Sequence, residues 1–214
     1  KFLTAIKNIP DDRVFLRSTN EKVLYKDLFN KIDLFESEYS FLKGKNCAVK
    51  SRDRATLALF IPAIANLAGS IFLQPNNLSE DEVSELYHSA EIDCVIELDA
   101  GLVNVKTVTE GLEKEKLGSC NWVLATSGTT STPKLASYEY GSLSSTVVKN
   151  VDKGAEYIWG LNYDLNRFAG LQVYFQAILS GSTLVVAESN WSVEDTATAF
   201  VVAGVNVMSA TPSF

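Results

Sequence analysis

One histidine, one methionine and three cysteines are all that 214 residues supply of those types. A lone histidine, His88, leaves any serine- or cysteine-based triad with a single possible base. Cys47, Cys94 and Cys120 are odd in number, far apart and without a Cys-x-x-Cys pair. Neither a disulfide framework nor a structural zinc site has the ligands it needs, and no metal site is expected from these residues. The thiols read as reduced core side chains of a cytoplasmic protein. Basic residues are in deficit: 19 Lys and Arg against 26 Asp and Glu leave a formal net charge of −7. A surface of that sign, with no local basic cluster, repels phosphate backbones and excludes nucleic acid as a partner. Uninterrupted apolar runs of membrane length are also missing. Residues 55–74 carry no charge, but Pro62, Asn66, Gly69 and Ser70 break the run, so it reads as a buried helix and a short strand, with no membrane span.

What is present is an ordinary globular balance, 46% apolar and 21% charged residues. Asp53 is placed to cap a helix over residues 54–68, kinked or shifted at Pro62, before a strand over 70–73. A hairpin pairs 14–16 with 23–25 and leads into a helix with Tyr25, Leu28, Phe29 and Ile32 on one face. Ser79 and Glu82 form a capping box for a helix over 79–90, which leaves His88 on the surface near its end. Further strands are expected at 92–98, 122–126, 157–161, 183–187 and 205–209. Helices are expected at 167–180, stopping at Gly181, and at 193–203, stopping at Gly204. Strands such as Thr183-Leu184-Val185-Val186-Ala187 are apolar throughout, as parallel strands covered on both faces should be. The expected class is therefore α/β, a largely parallel sheet with helices on both faces.

One segment carries chemistry. An apolar strand, Trp122-Val123-Leu124-Ala125, runs into Thr126-Ser127-Gly128-Thr129-Thr130-Ser131-Thr132 and then Pro133-Lys134. A polyphosphate needs many short donors, a backbone that can approach closely and a cation. Gly128 removes the Cβ that would shield backbone amides, Pro133 restricts where the chain can turn, and Lys134 supplies a compact mobile charge. The segment fits neither the Walker A spacing nor Gly-x-Gly-x-x-Gly. A flexible Ser/Thr/Gly surface loop has the same composition.

Position by position, the segment resembles the phosphate-binding loop of the adenylate-forming superfamily: acyl- and aryl-CoA synthetases, nonribosomal peptide adenylation domains and luciferase. The family pattern reads Thr-Ser-Gly-Thr-Thr-Gly-x-Pro-Lys, and this chain departs from it at Ser131. Val23-Leu24-Tyr25-Lys26-Asp27-Leu28 is similar to an early family segment, and Asn66-Leu67-Ala68-Gly69 with Ile71-Phe72-Leu73-Gln74-Pro75 to its helix–strand step. Tyr163-Asp164-Leu165-Asn166-Arg167-Phe168-Ala169-Gly170 resembles the substrate-pocket segment, with Arg167 where many members have histidine. That arginine could clamp an anionic substrate group or pair with Asp164 near a helix start.

The resemblance implies that residues 1–214 are the N-terminal portion of an AMP-binding domain, with 1–50 packing on a neighbouring subdomain and the C-terminal regions absent. It implies ATP-dependent activation of a carboxylic acid as an acyl-adenylate, followed by thioester formation with CoA or a carrier-protein thiol. Thr126, Ser127, Gly128, Thr129, Thr130, Ser131 and Lys134 would bind ATP, with Lys134 also catalytic. Tyr163, Arg167, Phe168 and Gly170 would contact the acid. The Mg²⁺ ligand is expected past Phe214, so the fragment alone is expected to be inactive and its partner is the rest of its own parent chain. Two alternatives stay open: a non-catalytic binding module of the same fold, and an unrelated α/β phosphate-transfer enzyme.

Overall fold

The computed structural model describes residues 2–19, 21–99, 101–109, 118–126 and 133–210. In chain order the elements are α1 (Phe2–Ile6), β1 (Val14–Arg17), β2 (Lys22–Leu24), α2 (Tyr25–Glu38), β3 (Asn46–Ser51), α3 (Arg54–Leu67), β4 (Ser70–Leu73), α4 (Glu80–Ser89), β5 (Cys94–Asp99) and β6 (Leu102–Thr107). There follow β7 (Asn121–Thr126), β8 (Lys134–Glu139), α5 (Tyr140–Ser144), α6 (Val151–Gly154), β9 (Ile158–Leu161), α7 (Phe168–Ser180), β10 (Thr183–Val186), α8 (Val193–Val202) and β11 (Val207–Met208).

The strands form two sheets. One has the order β11-β9-β10-β1-β2, the other β6-β5-β3-β4-β7-β8. Within each, the central pairings are parallel and antiparallel partners (β2, β6, β8) stand at edges. The α/β class with largely parallel strands holds, shared between two sheets.

Side-chain alternation explains the layering. On β3, β4 and β7 the residues Cys47, Val49, Ile71, Leu73, Trp122 and Leu124 point into one large core. Ala48, Phe72, Val123 and Ala125 point the other way, into a smaller core closed by Leu86 of α4. The first sheet repeats the arrangement: Leu184 and Val186 of β10 join the large core, while Val185 and Ala187 meet Phe200 of α8. Residues of α1, α2, α3 and α7 fill the space between the sheets. The strands read as continuously apolar because each serves two cores.

Helix ends follow the expected chemistry. Asp53 accepts from the backbone of Ala55 and Thr56 at 3.0 and 2.9 Å, and α3 runs through Pro62 without interruption. The Ser79–Glu82 and Ser192–Asp195 capping boxes both close. Gly181 takes φ +70°, the left-handed conformation that ends α7 at little cost only for glycine.

Several elements exceed what the sequence pattern predicts. The strands β6 and β8 are polar on much of their surface, with Leu102 74% exposed, because an antiparallel edge strand needs one covered face at most. β3 has polar residues at both ends, so its three-residue apolar centre, Cys47-Ala48-Val49, carries little periodic signal. Tyr25 opens α2 instead of ending the hairpin strand.

Candidate functional site

The strand β7 is buried through Trp122–Val123–Leu124–Ala125 and emerges at Thr126, which is exposed at the C-terminal end of the second sheet. The chain comes back as β8, and Thr126 lies directly across the ladder from Lys134. The Thr126 hydroxyl donates to the Lys134 carbonyl at 3.0 Å, tying the mouth of the connecting segment shut. Pro133 precedes β8 and so removes no ladder donor. Ser127, Gly128, Thr129, Thr130 and Ser131 lie outside the described residues. Lys134 is exposed, and among the described residues its ammonium has no ion pair. The exposed Lys134 ammonium at a strand end suits an anionic ligand, while the Thr126 hydroxyl, its one proton given to the Lys134 carbonyl, clasps the two strand ends together.

The second group of expected site residues sits in the β9–α7 connection and the first turn of α7. Here the chain leaves the first sheet at Leu161 and starts α7 with Arg167 as N-cap. Gly170 is buried beneath Asp164: a Cβ there would stand 2.2 Å from the Asp164 carbonyl oxygen, so only glycine lets the first turn of α7 pack this closely. Its role is close approach. The Asp164 carbonyl accepts from the Arg167 backbone at 3.0 Å, but the Asp164 carboxylate is taken by Arg54 Nε at 2.7 Å. The Arg167 guanidinium, on an exposed residue, is thus not the partner of that carboxylate. Tyr163 is half-buried, and Phe168 is 48% exposed with its ring 5.2 Å from Tyr138 of β8. The Phe168–Tyr138 contact links the β9–α7 connection to the hairpin that bears Thr126 and Lys134.

A cleft of about 330 Å³ opens beside this connection, lined among others by Arg52, Arg54, Asn76, Asp164 and Asn166. A neighbouring depression of about 410 Å³ shares Arg52 and Asn76 and extends towards Lys50, Gln74 and Glu97. Both lie at the C-terminal ends of parallel strands, where open α/β sheets hold their ligands. Neither is lined by Thr126 or Lys134 among the described residues.

Sequence reasoning missed Arg54, Gln74, Asn162 and Asn166. Asn166 Nδ2 reaches the Gln74 carbonyl at 3.4 Å, while the buried Asn166 and Asn162 side-chain oxygens have no hydrogen-bond partner among the described residues. The only available signal was a pair of asparagines after a strand, and their surroundings come from residues far away in sequence.

His88 is exposed in the last turn of α4. All three cysteines are buried, and burial pushes the Cys47 thiol well above its ordinary range, so a nucleophilic thiolate is disfavoured there. Among the described residues no group of three or more His, Cys, Asp or Glu could hold a metal ion, and no helix is long and apolar enough to cross a membrane.

No family model and no curated protein sequence matches the chain. Solved structures do. The N-terminal subdomain of NpsA from Klebsiella oxytoca, in complex with 3-hydroxyanthranilyl-AMSN, superposes with a TM-score of 0.76 at 18% identity, over 97% of this chain and 57% of that one. The o-succinylbenzoate CoA synthetase MenE from Bacillus subtilis, in complex with its acyl-adenylate intermediate OSB-AMP, gives 0.75 at 19% identity, over 98% of this chain and 60% of that one. The same enzyme with ATP and magnesium ion gives 0.72 at 16% identity, over 97% and 62%. The chain spans about three-fifths of the length of these structures and has the fold of the matching part of each.

Proposed function

We propose that the chain is the N-terminal portion of an adenylate-forming enzyme, which activates a carboxylic acid with ATP and passes the acyl group to the thiol of CoA or of a carrier protein. The observation that carries this reading is the Thr126–Lys134 closure: it fixes both ends of the hydroxyl-rich segment at the strand tips of a fold shared with proteins solved bound to ATP or an acyl-adenylate. In this reading Ser127, Gly128, Thr129, Thr130 and Ser131 hold the β- and γ-phosphates, and Thr126 contributes by clasping the base of their segment through the Lys134 carbonyl. Lys134 offsets charge on the departing pyrophosphate, where a fixed cation acts most strongly as charge moves off the α-phosphorus. The attacking carboxylate is an anion approaching a polyanion, so holding the phosphates still and neutralising them is the larger part of the protein's task. Tyr163, Arg167 and Phe168 border the acid, and Gly170 shapes the connection from beneath. Mg²⁺ would share the phosphate charge, with its protein ligand beyond residue 214. Three buried cysteines, odd in number and without a Cys-x-x-Cys pair, favour a reducing, cytoplasmic setting.

The test is Lys134→Ala in the complete polypeptide that carries this sequence, assayed by ATP–pyrophosphate exchange. Lys134 is exposed, so the fold should survive, while exchange should fall by about 100-fold. Unchanged exchange would sink the assignment and favour a binding module with the same fold.

A further inference from the structure

Arg54 stands where the two sheets meet. It is the first residue of α3, in the turn held by the Asp53 cap, and its side chain is only 15% exposed. From there it reaches across to the first sheet and grips it twice. Nε donates to the Asp164 carboxylate at 2.7 Å, after β9, and Nη1 donates to the Ala187 carbonyl at 3.1 Å, after β10. A second tie runs parallel to it, from Asn166 Nδ2 to the carbonyl of Gln74, just after β4. β4 pairs directly with β7, through Leu73 and Leu124, and β7 ends at Thr126. The β9–α7 connection is therefore tied to the start of α3 and to the end of β4, in the sheet that carries the hydroxyl-rich segment, while its own sheet holds it at Leu161 of β9.

We infer that Arg54 is a positioning residue: it sets residues 162–168 in register with the Thr126–Lys134 hairpin, and so the acid-binding side in register with the phosphate-binding side. This rests on the function proposed above. Global stability is a poor explanation for the contact, because Asp164 is 51% exposed and pairs open to solvent contribute little. Geometry is the better one. A planar guanidinium meeting a carboxylate and a carbonyl at once fixes direction as well as distance, which a lysine ammonium on its flexible stem would not. Two reacting groups carried on different sheets need such a brace, since a displacement of about 1 Å can cost about 100-fold in rate.

Amide hydrogen exchange and ligand affinity, both measured on the complete polypeptide that carries this sequence, test this together. In Arg54→Ala and in Asp164→Ala, amides of residues 162–168 should exchange about tenfold faster, with those of β3 and β7 unchanged. Affinity for 3-hydroxyanthranilyl-AMSN or OSB-AMP, the probes, should fall about tenfold and affinity for ATP less than about twofold. The double variant should be no worse than either single one, and Arg54→Lys should fall between. Unchanged exchange, or equal loss of both affinities, overturns the role of Arg54 while leaving the function standing. A wild-type protein that binds ATP and neither probe, or none of the three, removes the acid-binding assignment and this role with it.

Discussion

Gly170 shows how little freedom single residues have around the β9–α7 connection. Its missing Cβ is filled from above by the Asp164 carbonyl, and by the Tyr163 Cβ at 3.2 Å. Asp164 is itself held, by Arg54 and by the backbone of Arg167. Gly170→Ala should therefore destabilise the protein by about 1–3 kcal/mol, the usual cost of overpacking, read as a lower urea midpoint at constant slope. A midpoint equal to wild type would mean that α7 can slide away from Asp164. The contrast with Lys134 is instructive, because that side chain is exposed and its substitution should leave stability alone. Of the two, Gly170 belongs to the frame and Lys134 to the proposed chemistry.

At the scale of an element, α3 is the most telling case. Pro62 lies in its middle and is buried, so the helix lacks the N–H that would reach the carbonyl of residue 58. The Tyr174 hydroxyl of α7 donates to that same Ala58 carbonyl at 2.9 Å. A donor from the neighbouring helix thus replaces the one that proline removes. Tyr174→Phe should strand the carbonyl and cost about 1–3 kcal/mol. Adding Pro62→Ala restores an intrahelical donor, so the double variant should recover much of the loss. Thermal unfolding of the four proteins gives the coupling, and purely additive effects would show that the two sites are independent.

Across the whole molecule, ionisable groups are buried in the layer between the sheets. Burial raises the Cys47 thiol above its ordinary value of 9.0 and the Tyr25 and Tyr174 hydroxyls well above 10.0. Tyr87, nearer the surface, is pushed up to about 12 by burial and then by the charge of Glu97. Each of these groups is neutral when protonated, and each folded value lies above the unfolded one. Their stabilising contribution is therefore complete below about pH 9 and lost as pH rises, by up to about 1.4 kcal/mol per pH unit for each group. Melting temperature should stay flat in this respect from pH 7 to 9 and then fall steeply towards pH 11. Cys47→Ala should flatten the first part of that fall, and Tyr25→Phe the part above pH 10. A melting temperature that holds through pH 11 would contradict the burial of these groups.

Much of this was legible in the chain itself. The apolar runs at 70–73 and 183–187, the Asp53 and Ser79 caps and the stop at Gly181 are local chemistry, and each governs backbone within a few residues of itself. The hydroxyl-rich segment ending in Pro133-Lys134 is equally local, so its position after a strand could be read directly. The polar edge strands and the division into two sheets could not, because pairing partners such as Leu16 and Leu184 are set by packing between distant segments. The same holds for Arg54. Its neighbours in sequence mark a helix start and nothing more, and only the folded chain brings it to Asp164. Sequence determines what each stretch of backbone can be; tertiary structure decides which stretches meet, since contact across a core depends on the shapes of all the pieces at once.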